Sequence, residues 1–158
     1  MSLANAELGS VLDGGIRWYS RNTTQTMCRN NTDQGGLPIW HLALAADCKA
    51  LRDEYYTTNG YFQITDWDDL DWFSLRENGT CSFSVKRADD QTGPDVWIGN
   101  EDIATYINEA LDKAVGGAVA QGGGFRCRSV TEPVYEMLKW RVWRIFPAAA
   151  EGVGPGEL

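Results

Sequence analysis

Few residues in this chain could do covalent chemistry. His41 is the single histidine. It is expected at the start of a helix beside Trp40, and no GxSxG elbow occurs to give it a serine nucleophile. Asp and Glu number 22, yet no two can be singled out as the facing pair that glycoside hydrolysis requires. The segment Gly122-Gly123-Gly124 lacks the Gly-Lys-Ser/Thr ending of a phosphate loop. The run Asp66-Trp67-Asp68-Asp69-Leu70-Asp71-Trp72 offers hard oxygen ligands of the kind calcium takes. It lacks the glycine and the terminal Glu of an EF-hand loop. It reads as a solvated acidic loop with Trp67, Leu70 and Trp72 turned inward. The sequence therefore calls for no catalytic residue, no metal and no cofactor.

Cys28, Cys48, Cys81 and Cys127 are widely spaced and contain no CxxC pair, so neither a zinc knuckle nor a thioredoxin-type centre is supported. Paired disulfides fit an even count better, and these persist in an oxidising compartment. Three N-glycosylation acceptors, at Asn22, Asn30 and Asn78, agree with secretion. The N-terminus has no basic and apolar leader, which is expected of a mature form. The longest apolar stretch, about Leu37 to Ala46, is too short for a membrane span.

Seven tryptophans are present, and Trp is common both in cores and at interface anchors. On a regular strand Trp140 and Trp143 face opposite ways. Trp140 is expected in the core, and Trp143 is left as a candidate surface contact. Lys139, Arg141 and Arg144 form a basic stripe beside it. That stripe reads as a solvated or salt-bridged face, or with Trp143 as an interaction surface.

The elements that must position these residues follow from periodicity. A first helix is expected over His41 to Tyr56, with Leu44, Cys48, Leu51 and Tyr55 on one stripe. A second is expected over Glu101 to Val115, with Asn100 as N-cap, an Ile103, Ile107, Ala110, Leu111 and Ala114 stripe, and Gly116-Gly117 as its end. Tyr61–Thr65, Cys81–Val85, Val96–Ile98, Ala118–Gln121 and Leu138–Phe146 read as strands, and Ala88–Gly93 as a hairpin loop. The fold class expected is α+β, an antiparallel sheet with two helices packed on one face. A single domain over 28–146 is expected, flanked by a flexible N-terminal extension over 1–27 and a flexible tail over 147–158. The 158 residues suit one domain. The net charge of −8 disfavours nucleic acid as a partner.

Asp47-Cys48, the Trp67 to Leu75 run, Gly79-Thr80-Cys81-Ser82-Phe83-Ser84-Val85, Ile98-Gly99-Asn100-Glu101-Asp102-Ile103 and Gly122-Gly123-Gly124-Phe125-Arg126-Cys127 occur in one order, followed by a Val/Trp-rich strand. In this order and spacing the sequence resembles the homologues of extracellular protein 2 of the tomato leaf-mould fungus, the necrosis-inducing factor family. The resemblance covers about Cys28 to Phe146. It implies a small, secreted, cysteine-bonded fungal effector with a plant surface or apoplastic protein as partner. The family is more remotely similar to the viral killer toxin of corn smut, an α/β sandwich proposed to block calcium channels through basic surface residues. This chain departs from the toxin in being acidic. Three functions are in view: host-target binding without catalysis, a killer-toxin-like antimicrobial or ion-channel block, and an enzyme on cell-wall carbohydrate.

Four cysteines allow three pairings. Cys48 faces inward from the first helix, and Cys81 shares a strand face with Phe83 and Val85, so Cys48–Cys81 is expected. Cys28–Cys127 then joins the residues before the first helix to those after the second. Mass spectrometry of a non-reduced digest is expected to recover these two linked peptide pairs. Free thiols or a Cys28–Cys48 link would contradict the pairing.

Overall fold

The computed structural model describes residues 10–13, 16–64, 72–88, 95–129 and 135–145, with the backbone alone at 10–13, 30, 31, 33, 34 and 39. The acidic run at 66–71 and the tail over 147–158 lie outside the described residues. Strands β1 (Ser10–Asp13), β2 (Ile16–Ser20), β5 (Gly60–Ile64) and β8 (Val96–Gly99) form a four-stranded sheet in the order β1-β2-β5-β8. Strands β3 (Cys28–Gly36), β10 (Gln121–Arg128), β11 (Tyr135–Trp143), β7 (Cys81–Arg87) and β6 (Phe73–Asn78) form a five-stranded sheet in the order β3-β10-β11-β7-β6. A short pair, β4 (Ala43–Leu44) and β9 (Ala118–Val119), completes the strands. The pairings are antiparallel.

The α+β class holds, but the expected single sheet is two. β7 pairs with β6 and β11, while β8 pairs with β5, so the strands flanking the expected Ala88–Gly93 hairpin loop do not pair with each other; positions 89–93 lie outside the described residues. The segment expected as an extension supplies β1 and β2, and Trp18 within it is fully buried. Trp18 packs edge-on against Phe62 at 4.9 Å, and Phe62 against Tyr55 at 6.2 Å.

Helix α1 runs over Ala45–Thr57 and α2 over Asn100–Leu111. A 3-10 turn (Ile39–His41) and β4 occupy the residues expected as the first turn of α1. Leu44 is accordingly exposed rather than on the stripe, while Cys48, Leu51 and Tyr55 are buried. α2 starts one residue early, with Gly99 in the N-cap position, and stops before Val115. Its stripe of Ile103, Ile107 and Ala110 is buried, with Leu111 and Ala114 partly so. The helices pack on each other. α1 also meets β6 and β7, and α2 meets β5, β8 and β11. Tyr106 of α2 stacks on Trp140 at 5.7 Å and meets Phe125 at 4.9 Å, so those two rings mark the helix side of the five-stranded sheet.

The start of α2 is a polar junction. Asn100 and Asp102 are buried, at 1% and 3% exposure. The Asn100 carbonyl oxygen accepts from the amides of Gln25 (2.9 Å) and Gly60 (3.3 Å), and its NH2 donates to the Tyr55 carbonyl (2.8 Å). The Asp102 carboxylate accepts from the amides of Met27 (2.7 Å), Cys28 (3.1 Å) and Gly99 (2.8 Å). Gly99 has no room for a side chain, because a Cβ would stand 2.1 Å from the Gln25 carbonyl oxygen.

Burial raises the Asp102 carboxyl to about 6, against the pull of its three amide donors. A carboxyl raised on folding binds more protons in the native than in the unfolded state between its two pKa values. Its contribution therefore declines as pH rises from about 4 to about 6, by about 3 kcal/mol. Asp102→Asn mimics the neutral carboxyl that native wild type carries below about pH 6 and cannot ionise. The stability of wild type relative to the variant is therefore expected to fall by about 3 kcal/mol between about pH 4 and pH 7. Urea unfolding across that range checks it, and a constant gap would contradict it.

Candidate functional site

Strand alternation divides the five-stranded sheet into a helix side and an outer side. Cys127, Phe125, Trp140, Leu138, Val142, Phe83 and Val85 face the helices and are buried. Arg126 and Arg128 of β10, Lys139, Arg141 and Trp143 of β11, and Lys86 of β7 take the alternate positions. Arg29 of β3 pairs with Arg126 and joins them.

At the centre of the outer side the Arg141 guanidinium lies 4.2 Å from the Trp72 ring centroid and 4.6 Å from that of Trp143. Cation–π contacts at such distances are attractive. Partial burial lowers the Arg141 pKa, yet a guanidinium stays charged at neutral pH. Trp143 is only 7% exposed. Its indole N–H donates to the Ser84 hydroxyl (3.0 Å), which meets Ser82 (3.0 Å), which meets Ser74 (2.8 Å). A hydroxyl row thus runs across β11, β7 and β6 and holds the indole.

His41 lies 4.7 Å from Trp143, ring to ring. Its Nδ1 is 2.8 Å from the Arg144 carbonyl oxygen, and the Arg144 amide donates back to the His41 carbonyl (2.9 Å). These contacts fasten the end of β11 and match a structural use of the ring. Among the described residues no group of three or more His, Cys, Asp or Glu side chains is placed to hold a metal.

Two cavities share the outer side. One, of about 250 Å³, is lined by Trp72, Lys86, Gly122, Lys139 and Arg141 together with Leu37. The other, of about 490 Å³, is lined by Thr32, Gly124, Arg126, Met137 and Lys139. No described carboxylate lines either. Six of the chain's 14 Lys and Arg residues thus lie on this face of a chain whose net charge is −8. Arg29 lies 3.7 Å over the Tyr135 ring, and Arg128 lies 5.7 Å over Trp97.

The structure brings Trp143, Lys139 and Arg141 together on this face. Arg144 instead follows the strand end, and its charge helps lower the Asp47 pKa, behind the Thr80 amide and hydroxyl that bind that carboxylate directly. Arg29, Lys86, Arg126 and Arg128 were not legible as members. β10 does not read as a strand, because three consecutive glycines sit in it. The middle one is required there: a Cβ on Gly123 would stand 2.2 Å from the Thr32 carbonyl oxygen and 2.7 Å from the Trp140 indole nitrogen.

The disulfides lie away from this face. Cys28 is bonded to Cys127 (2.05 Å) and Cys48 to Cys81 (2.08 Å). Of the acceptor asparagines, Asn22 is exposed, Asn78 is half-buried at the end of β6, and Asn30 lies in β3. The Thr80 hydroxyl of the Asn78 triplet is engaged: it donates to Asp47 (2.8 Å) and accepts from the Leu44 amide (2.8 Å).

A family model, Hce2, described as "Pathogen effector; putative necrosis-inducing factor", matches residues 27–127. The match holds both disulfides and the Asn100 and Asp102 of the α2 junction, and it stops before β11. No curated protein matches the chain.

The stacked guanidinium makes a stability prediction. Arg141→Lys keeps the charge and loses the planar contact with two indoles. It is expected to cost about 0.5–2 kcal/mol in urea unfolding. A loss indistinguishable from zero would show that the stacking contributes nothing.

Proposed function

We propose, on the premise that this chain belongs to the Hce2 family of pathogen effectors, that it is secreted and acts by binding a host target without catalysis. The binding surface is the outer side of the five-stranded sheet around Trp143, Lys139 and Arg141. The observation that carries this reading is the gathering of six cations on one face of an acidic chain. An acidic protein that keeps a cationic face can steer one kind of partner to it.

Two disulfides support an extracellular site of action, since a reducing cytosol would open them. An apoplastic or surface protein is the partner class, and the exposed Asn22 is a position for a glycan. The use of His41 in fastening Arg144 supports binding over catalysis. The cationic face also favours a second reading, a killer-toxin-like antimicrobial or channel block, because basic residues are what that mode of action requires.

Leaf infiltration tests the proposal. Wild type is expected to elicit cell death, and so is His41→Ala. The doubly reversed variant Lys139→Glu/Arg126→Glu, checked for fold by near-UV circular dichroism, is expected to lose activity by about tenfold in dose or more, in line with the cost of reversing contact charges. Full activity in the folded double variant would remove this face from the function. A folded but inactive His41→Ala would contradict the non-catalytic reading. Growth inhibition of yeasts, with leaves unaffected, would support the toxin-like alternative.

A further inference from the structure

We infer that the outer side of the five-stranded sheet is a trough for a linear carboxylated polysaccharide, a polyuronate, lying along β10 with its carboxylates on Arg141, Lys139 and Arg126. The inference rests on the reading that this face is an extracellular binding surface, and it adds to the protein partner a second ligand of that face, a wall polysaccharide.

The floor of the trough comes from glycine. The outward positions of β10 before Arg126 are Gly122 and Gly124, which carry no side chain. Gly122 pairs with Arg141 and with Gly35, and Gly124 pairs with Lys139 and with Thr32. Long cationic side chains of β11 therefore rise beside bare backbone, with β3 as the far bank. The two cavities sit at these levels and meet at Lys139.

The cations are spaced for a repeating anion. Arg141 and Lys139 are two residues apart on β11, and Arg126 stands opposite Met137, two residues further. Strand geometry sets these steps at about 6–7 Å, and the whole row at about 13 Å. A single small anion would use one position, whereas a chain with a charge on each unit uses the row. Carboxylates suit Lys and Arg in a partly desolvated groove, where charge-assisted hydrogen bonds are strong.

The rings argue against a nucleic acid. Single strands are held by bases stacking on free aromatic faces. Here Arg29 lies over Tyr135, Arg141 lies against both Trp72 and Trp143, and Trp143 is 7% exposed. A bilayer would meet the acidic remainder of the chain as well as the trough, and a concave row suits a thread better than a plane.

Calorimetric titration of the full chain with de-esterified polygalacturonate oligomers tests the inference. Binding is expected, with none to the fully methyl-esterified oligomer, which has the same backbone and no charge. Affinity is expected to fall by about tenfold or more between about 50 and about 300 mM salt, as counterion release dictates. Lys139→Glu/Arg126→Glu is expected to lose about tenfold or more, and Lys49→Glu, an exposed change on α1, to bind as wild type. If the double variant does not fold, Lys139→Gln/Arg126→Gln serves in its place. Equal binding of the methyl ester overturns the inference. So does tighter binding of a single-stranded oligonucleotide of equal charge, or of anionic vesicles, or an unaffected double variant. Loss of leaf activity in the double variant, with no polyuronate binding by wild type, overturns the ligand and leaves the interaction face in place.

Discussion

Asp102 and Asn100 sit where four otherwise separate parts of the chain meet. Between them they bind the amides of Gln25, Met27, Cys28, Gly60 and Gly99 and the carbonyl of Tyr55. The stretch 25–28 joins β2 of one sheet to β3 of the other, so the junction fixes how the two sheets begin relative to α2. Backbone donors in a buried loop must find acceptors, and each left unpaired costs about 1–3 kcal/mol. The Gln25 amide finds its acceptor in Asn100 and the Met27 amide in Asp102. The Cys28–Cys127 bond then locks the end of this stretch to β10, and the Arg128 amide donates to the Met27 carbonyl (2.9 Å).

A second clamp works the same way at the other end of the core. The Asp47 carboxylate in the first turn of α1 accepts from the Thr80 amide and hydroxyl, both at 2.8 Å, and the next residue, Cys48, is bonded to Cys81. Gly99-Asn100-Glu101-Asp102 and Gly79-Thr80-Cys81 are thus the parts of these two clamps that specify how helices meet strands. The outer face lies across the sheet from them, with most of its cations on β10 and β11.

The parts legible in the sequence were those governed by local period. The Ile103, Ile107 and Ala110 stripe is buried, and alternation correctly sent Trp140 inward. Trp143 went outward, but Trp72, Arg141 and His41 cover it, which no local pattern states. Of the strands missed, β3 reads Cys-Arg-Asn-Asn-Thr-Asp-Gln-Gly-Gly and β10 holds three glycines; their propensities are poor, and pairing with a stronger neighbour overrides propensity. β1 and β2 fell in the segment read as an extension, β4 within the expected first helix, and β6 in the residues after the acidic run. β10 is held between β3 and β11, and its glycines are what let the Trp140 indole lie against it. The division into two sheets was missed because β7 finds β11 and β8 finds β5 across long sequence separations. Without β10 as a strand, Arg126 and Arg128 could not be placed beside Lys139 and Arg141.

The central claim is that two buried side chains at the start of α2 hold the stretch 25–28 as firmly as the core. Native-state hydrogen exchange of single amides tests it most directly. Gln25 and Met27 lie outside any strand or helix, and their amides donate to Asn100 and Asp102 rather than to a strand or helix partner. The account predicts that both exchange only through opening close to global unfolding, alongside Cys28 and Gly99. Exchange of Gln25 and Met27 at the rate of an exposed loop, with the core still protected, would contradict it.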